Sequence, residues 1–234
     1  MAHTFQRARS EEQRAERRRA ILDTAASMLT EMPVAQVSLN ELSRRVGLAK
    51  SNVLRYFESR EAVLLDLLDV ACREWTEYLA GALTSAVDAQ APPRERGDRV
   101  VAVLAASLAE RPVLCDLSSS QAAVLERNIS PEVAAEYKRA AIANVGELAA
   151  LVRAHVPELS EGDASRFAAY CVMSTGAIWT HTQPSAAMLE AYEADPSLAA
   201  MRIDFETSSR ELLEVVLSGL LARAPGSASA RASG

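Results

Sequence analysis

Lys50, Ser51, Asn52, Arg55 and Tyr56 sit within one short stretch, and their donors suit the edges of nucleic-acid bases and phosphate oxygens. The forked guanidinium of Arg55 matches the two acceptors of guanine, and the Asn52 amide matches adenine. Val53 and Phe57, four residues apart, would share the opposite side of a helix. Ser38, Tyr56 and Arg60 suit phosphate better than bases, with packing as the rim of the small domain the alternative for Tyr56. Arg44 and Arg45 could contact DNA or simply solvate their helix. Other chemistries find less support. Cys72, Cys115 and Cys171 are far apart, with no CxxC pair or His/Cys cluster. No metal or cofactor is therefore expected, and reduced thiols in a cytoplasmic protein are the simplest account. No GxSxG, glycine-rich phosphate loop, HExxH or paired-carboxylate motif occurs, so an enzyme is the weaker class. Ser174 and His181 lie two helical turns apart, too far to form a nucleophile–base pair.

The net charge of −6, taken as a single sum, argues against a polyanionic partner, but its distribution argues for one. Residues 1–60 hold 11 Lys/Arg against 7 Asp/Glu, whereas the remainder holds 14 against 24. A basic end on an acidic body attracts phosphate locally while the body repels non-specific contact. Arg7 and Arg9 could form an arm reaching a minor groove, although a solvated tail explains them as well. The first twenty residues lack an apolar run, and no stretch approaches 18 uninterrupted apolar residues, so neither a secretory signal nor a membrane span is expected.

These residues must be positioned by helices, because apolar residues recur at three- and four-residue spacing and no convincing strand alternates. Ile21, Leu22, Ala25, Met28 and Leu29 mark a helix from about Glu12 to Glu31, closed by Pro33. Ser38-Leu39-Asn40-Glu41 has the capping-box pattern and opens a helix to Val46, which Gly47 ends. A second short helix is expected over Lys50–Phe57. Ser59 caps a long one, from Arg60 to about Leu83. Gln90 to Gly97 reads as a loop, followed by helices over Val100–Glu110 and, as shorter pieces, Pro112–Glu126. Ser130-Pro131 and Ser160 open long helices to about His155 and Thr182. Residues 184–203, broken by Pro184 and Pro196, are irregular on this reading. A final helix spans about Phe205 to Ala222, and the tail over 223–234 is expected to be disordered.

Two short helices around a glycine turn are generic; their flanks are not. Ile21-Leu22-Asp23-Thr24-Ala25-Ala26, the capped Ser38-to-Gly47 segment, Lys50-Ser51-Asn52-Val53-Leu54-Arg55-Tyr56-Phe57 and the Phe57-Glu58-Ser59-Arg60-Glu61 junction follow in order. In order and spacing, this run closely resembles the DNA-binding domain of the TetR family of transcriptional regulators. Pro33 stands where that family usually has glycine, Ala49 where a capping Ser is common, and Leu54 where a phosphate-touching Tyr is frequent. The resemblance implies an all-α protein. Residues 1–64 would hold the arm and helix-turn-helix, with Ser38, Arg45, Lys50, Ser51, Asn52, Arg55, Tyr56 and Arg60 at double-stranded operator DNA. Residues 65–222 would form the effector-binding and dimerisation domain.

The local sequence supports part of that implication. The final helix is apolar on more than one face, and the Ser160–Thr182 helix carries Ala168, Ala169, Cys171, Gly176 and Ala177, small enough for close approach. A homodimer through these two helices is the leading assembly, on a palindromic operator with half-sites about one helical turn apart or a little more. Trp75, Tyr78, Cys115, Tyr137, Tyr170, Met173 and Trp179 could line a pocket for a small, mainly apolar effector, or could equally be core. Asp116, Asn128 and His181 are possible polar anchors, and His155 suits a helix C-terminus. Repression is the expected mode of action. An activator, an effector-independent regulator and, more distantly, a helical protein-binding adaptor are the alternatives.

Overall fold

A computed structural model describes residues 2–223, with side chains from Glu11 onward. The tail expected beyond Arg223 and the side chains of Arg7 and Arg9 lie outside the described residues. The chain runs through α1 (Ala2–Glu31), a 3-10 turn (Val34–Gln36), α2 (Leu39–Val46), α3 (Lys50–Val53) and α4 (Arg60–Ala86). It continues with α5 (Pro93–Ala109), α6 (Pro112–Ser120), a π turn (Gln121–Leu125), α7 (Pro131–His155) and α8 (Glu161–His181). The last elements are α9 (Ala186–Ala194), α10 (Pro196–Ala199) and α11 (Phe205–Leu221). Among the described residues there is no strand, and the fold is all-α.

The helices form where burial and capping agree. Ile21, Ala25 and Met28 lie on one fully buried stripe of α1. Ser130 and Ser160 cap α7 and α8 by accepting from Val133 N and Asp163 N, and Pro131 takes the first helical position, where its missing N–H costs nothing. Three boundaries differ from the periodic pattern. Helix α1 begins at Ala2, not near Glu12: its early sequence is rich in good helix formers, residues 11–20 contribute no buried side chain, and periodicity detects burial, not helicity. Helix α5 begins at Pro93 inside the expected loop, because Pro92 and Pro93 fall at the cap and first position that proline tolerates. Residues 186–199 form α9 and α10, capped by Ser185 and Asp195, and neither helix contains a buried residue.

A single cluster of buried side chains runs from Ile21, Leu42 and Val53 at the N-terminal head to Leu83, Leu104 and Phe167 in the body. Helix α4 belongs to both halves, so the expected boundary at residue 64 falls within a continuous helix. In the body, α7 packs on α4 and α8, α6 on α8, and α11 on α5 and α8. The buried Arg96 ties α5 to the end of α7. Its guanidinium donates to Ala91 O at 3.0 Å and His155 O at 2.8 Å, and it pairs with Glu158. His155 caps its own helix end through Nδ1 and Leu151 O at 2.9 Å. Replacing Arg96 by Ala leaves these acceptors unmatched, and chemical unfolding should register a loss of about 2–3 kcal/mol.

Candidate nucleic-acid interface

The recognition unit is built by caps and two buried anchors. Ser38 Oγ accepts from Glu41 N at 3.2 Å and starts α2. Gly47, at φ 74, takes the left-handed conformation that ends it, and Leu48 N then donates to Ser43 O at 3.0 Å. Only half of the expected capping box forms, because the Glu41 carboxylate turns instead to Arg44 and Arg45 at 2.6–2.9 Å. Helix α3 has Ala49 at its cap with no side-chain hydrogen bond, and its regular geometry ends at Val53, short of the expected Phe57. Beyond Val53 the turn tightens through Arg55 N to Asn52 O and Tyr56 N to Val53 O. Val53 and Phe57 are buried, as their spacing requires.

This anchoring leaves Lys50, Ser51, Asn52 and Arg55 exposed on the outer side, with Tyr56 half-buried. Among the described residues Lys50 and Arg55 enter no ion pair. Arg45 and Arg60 are placed differently. Arg45 bridges Glu41 at 2.8 Å and Glu31 at 2.7 Å. Arg60 points into the head, donating to Val34 O and to Glu61 Oε1 at 3.2 Å. Both guanidiniums therefore brace the head internally and do not stand free for phosphate. Leu54 is exposed.

Two sets of basic residues escaped the sequence pattern. Arg18 donates to Tyr56 O at 2.9 Å, pairs with Asp66 on α4 and lies 4.3 Å over the Phe57 ring. It locks the end of the recognition segment to two helices. Arg14 and Arg17, exposed on α1, line an open groove with Arg55 and Tyr56. The apolar periodicity of α1 carries no sign of this, because the groove depends on where the recognition turn packs.

A second feature is a cavity of about 420 Å³ between α4, α6, α7 and α8. Of the aromatic and sulfur-bearing candidates, Tyr137 and Met173 line it, beside Leu68, Cys72, Ala141 and Val172. The others lie elsewhere. Trp75 is buried with Nε1 donating to Ser107 Oγ at 2.9 Å, and Cys115 Sγ lies 3.4 Å from Leu108 O. Tyr78 stacks under the Arg111 guanidinium at 4.2 Å, Trp179 packs edge-on to Phe205, and Tyr170 is exposed on α8. Asn128 and His181 are exposed outside the walls, and Asp116 bonds the head. The polar wall is instead Asp69, whose Oδ1 accepts from Asn144 Nδ2 at 2.8 Å, with Gln121 and Thr180. That pairing joins residues 75 positions apart, which no local pattern reveals. Burial pushes the Cys72, Cys115 and Cys171 thiols up to about 12, leaving them protonated and unreactive. Ser174 Oγ is committed to Cys171 O at 3.1 Å.

The two guanidiniums on Glu41 hold its carboxyl at about 2, well below its ordinary value of 4.5. A depressed carboxyl stabilises the fold above the unfolded value, and that contribution fades as pH falls from about 4.5 towards 2. An NMR pH titration should place the Glu41 midpoint near 2, and Arg45→Ala should move it upward.

Comparison with known proteins agrees with this architecture. The family described as "Bacterial regulatory proteins, tetR family" matches residues 21–77, and that described as "Tetracyclin repressor-like, C-terminal domain" matches residues 70–224. The HTH-type transcriptional regulator EthR of Mycobacterium tuberculosis is 43% identical over 54 residues, which is 23% of this chain and 25% of EthR. The sequence match thus spans about a quarter of that relative. In fold, the chain is similar to a TetR transcriptional regulator from Rhodococcus sp. RHA1, with TM-score 0.55 and 14% identity over 91% of this chain and 98% of the other. It is equally similar to a possible TetR family regulator from Streptomyces coelicolor A3(2), with TM-score 0.55 and 20% identity over 88% and 98%. Family matches over both the helix-turn-helix and the helical body, on a fold of the same kind, lead to one conclusion: the chain belongs to the TetR family of bacterial transcriptional regulators.

Proposed function

We propose that this regulator is a cytoplasmic repressor that binds a palindromic operator as a homodimer and is released by a small, mainly apolar effector. The observation that carries the DNA reading is the free outer face of the recognition unit. Lys50, Ser51, Asn52 and Arg55 are held outward by buried Val53 and Phe57, and among the described residues neither cation enters an ion pair. Arg55 reads guanine and Asn52 adenine in the major groove, while Lys50, Ser51 and Tyr56, with Ser38 at the start of α2, fix the backbone. Arg14 and Arg17 extend that backbone contact along α1. A bound dimer represses by occupying the site that polymerase needs.

Support for the homodimer comes from α8 and α11, which pack together and leave an apolar stripe in solvent: Tyr170, Met173, Leu212 and Val215 are 41–72% exposed. The small residues Ala168, Cys171 and Gly176 are not on that stripe, since they are buried inside their own subunit. Close approach there serves the α6–α8 contact, and the bulkier residues serve the partner. The effector reading rests on the cavity, whose wall is mainly apolar with a few convergent polar groups. Release requires that the effector favour a state in which the two heads no longer fit adjacent grooves. The protein has no catalytic role in this reading.

Enrichment from a random duplex pool tests the whole. A palindrome should emerge, bound with a steep salt dependence, and failure to enrich any sequence from wild-type protein would sink the proposal. On the enriched duplex, Arg55→Ala should lose about 1–3 kcal/mol of discrimination at one base pair. Arg14→Ala with Arg17→Ala should weaken all duplexes alike and lower the salt slope by about one per residue. A Met173→Glu/Val215→Glu pair should sediment as monomer and lose operator affinity, whereas the wild type sediments as dimer.

A further inference from the structure

The cavity between α4, α6, α7 and α8 has one charged residue in its wall, Asp69, and its lining includes no lysine, arginine or histidine. The Asp69 carboxylate accepts from Asn144 Nδ2 at 2.8 Å through Oδ1 and from Arg73 Nε at 3.1 Å through Oδ2. Arg73 does not line the cavity, and its side chain is 51% exposed, so water weakens that pair. Little of the negative charge is cancelled on the cavity side. The surroundings carry the same sign. The cleft at the junction of head and body shares Asp69 and Tyr137 with the cavity and adds Glu58, Asp66 and Glu136. The two guanidiniums there are engaged, Arg18 by Asp66 and Arg73 by Asp69. Burial raises the Asp66 carboxyl above its ordinary value, and Glu136 and Asp69 add to the rise against the pull of Arg18. An excess of carboxylates beside the cavity draws cations towards it.

The polar groups of the wall have used most of their hydrogens elsewhere. Ser118 Oγ donates to Leu114 O at 2.8 Å, Ser119 Oγ to Asp116 O at 2.7 Å and Thr180 Oγ1 to Gly176 O at 2.9 Å. A hydroxyl whose hydrogen is used in this way offers only lone pairs to a ligand. Gln121 Nε2 donates to Glu126 Oε1 at 2.8 Å, as Asn144 donates to Asp69, so each amide keeps one N–H beside its carbonyl oxygen. Tyr137 adds a hydroxyl that can accept or donate. Burial, with Glu126 and Asp69 nearby, raises it above its ordinary value and keeps it neutral. Acceptors therefore outnumber donors around the cavity. An anionic head group would find no cation there, and burying it unpaired is strongly unfavourable.

We propose that the cavity takes an apolar molecule bearing a protonated amine, with the ammonium hydrogens on the Asp69 carboxylate and neighbouring side-chain oxygens, and that it turns away carboxylates and phosphates. The inference rests on the cavity being the effector site, and it specifies what that effector must carry. The carbon skeleton meets Leu68, Val172 and Met173, while the head group meets Asp69. A cavity of about 420 Å³ has room for a small molecule of that kind.

Displacement of the neutral fluorophore N-phenyl-1-naphthylamine tests the proposal, with 1-aminoadamantane and adamantane-1-carboxylate as competitors: one rigid apolar cage with opposite head groups. At neutral pH the amine should displace the fluorophore at a concentration at least about tenfold below the carboxylate. Asp69→Asn keeps an acceptor for Asn144 but removes the charge, and should bring the two competitors within about threefold of each other. Thr180→Lys, at an exposed position of the wall, should reverse their order, and it takes the place of Asp69→Asn should that variant fail to fold on thermal unfolding. A carboxylate that competes as well as the amine, or an amine preference untouched by these variants, overturns the ligand class while leaving the effector site in place. Ala141→Phe, or Ala169→Leu if the former does not fold, fills the cavity and should abolish fluorophore binding. No binding to the wild type, or equal binding to the filled variant, brings down the effector site and the ligand class together. Affinity for the enriched duplex in saturating amine decides release separately: an unchanged value removes the effector role and leaves the ligand class supported.

Discussion

Helix α4 is the constraint on which the rest of the molecule depends. It buries Val63, Leu64, Leu67 and Leu68 in its first turns and Trp75, Leu79 and Leu83 further along, all within one continuous apolar cluster. Each large side chain buried in this way is worth about 1.5–3 kcal/mol, so the helix cannot leave either half without a large loss. Its body half lies against α7, and its head half is pinned by Arg18 through Asp66. A continuous helix packed into both halves fixes the orientation of the head on the body.

Arginine illustrates how partners, not residue type, decide role in this chain. Arg18, Arg45, Arg60 and Arg96 all meet carboxylates or carbonyls of the fold and act as internal braces. Among the described residues Arg55 enters no ion pair, and it stays with Lys50 on the open face. The planar fork of a guanidinium suits both tasks, since it reaches several acceptors at once whether these belong to the protein or to a base. Net charge therefore says little about which cations are available to DNA, and pairing says much more.

Much of this was legible beforehand. The Ser38 cap, the glycine stop at Gly47 and the inward pair Val53 and Phe57 all follow from local rules, and so do the Ser130 and Ser160 helix starts. What local rules missed depended on distant partners. Glu41 abandons the reciprocal cap because two arginines compete for its carboxylate with full charge. Regular α3 geometry ends at Val53 because the following turn must deliver Tyr56 to Arg18 and Phe57 to the core. Aromatic residues were a poor guide to the cavity: Trp75 and Trp179 find partners in the packing, while the actual walls are largely small and aliphatic residues. Of the small residues on α8, Gly176 marks a close approach to α6 of the same chain, while Ala169 and Ala177 line the cavity.

The separation between anchors and outer face at the recognition unit has an evolutionary corollary. Val53 and Phe57 are held by the core and tolerate little change, whereas Ser51, Asn52 and Arg55 are exposed. Substitutions at these outer positions carry little folding penalty, so the exposed face can change one side chain at a time while the scaffold stays constant. After gene duplication, such a head can diverge on its outer face while the body on which it packs is left intact.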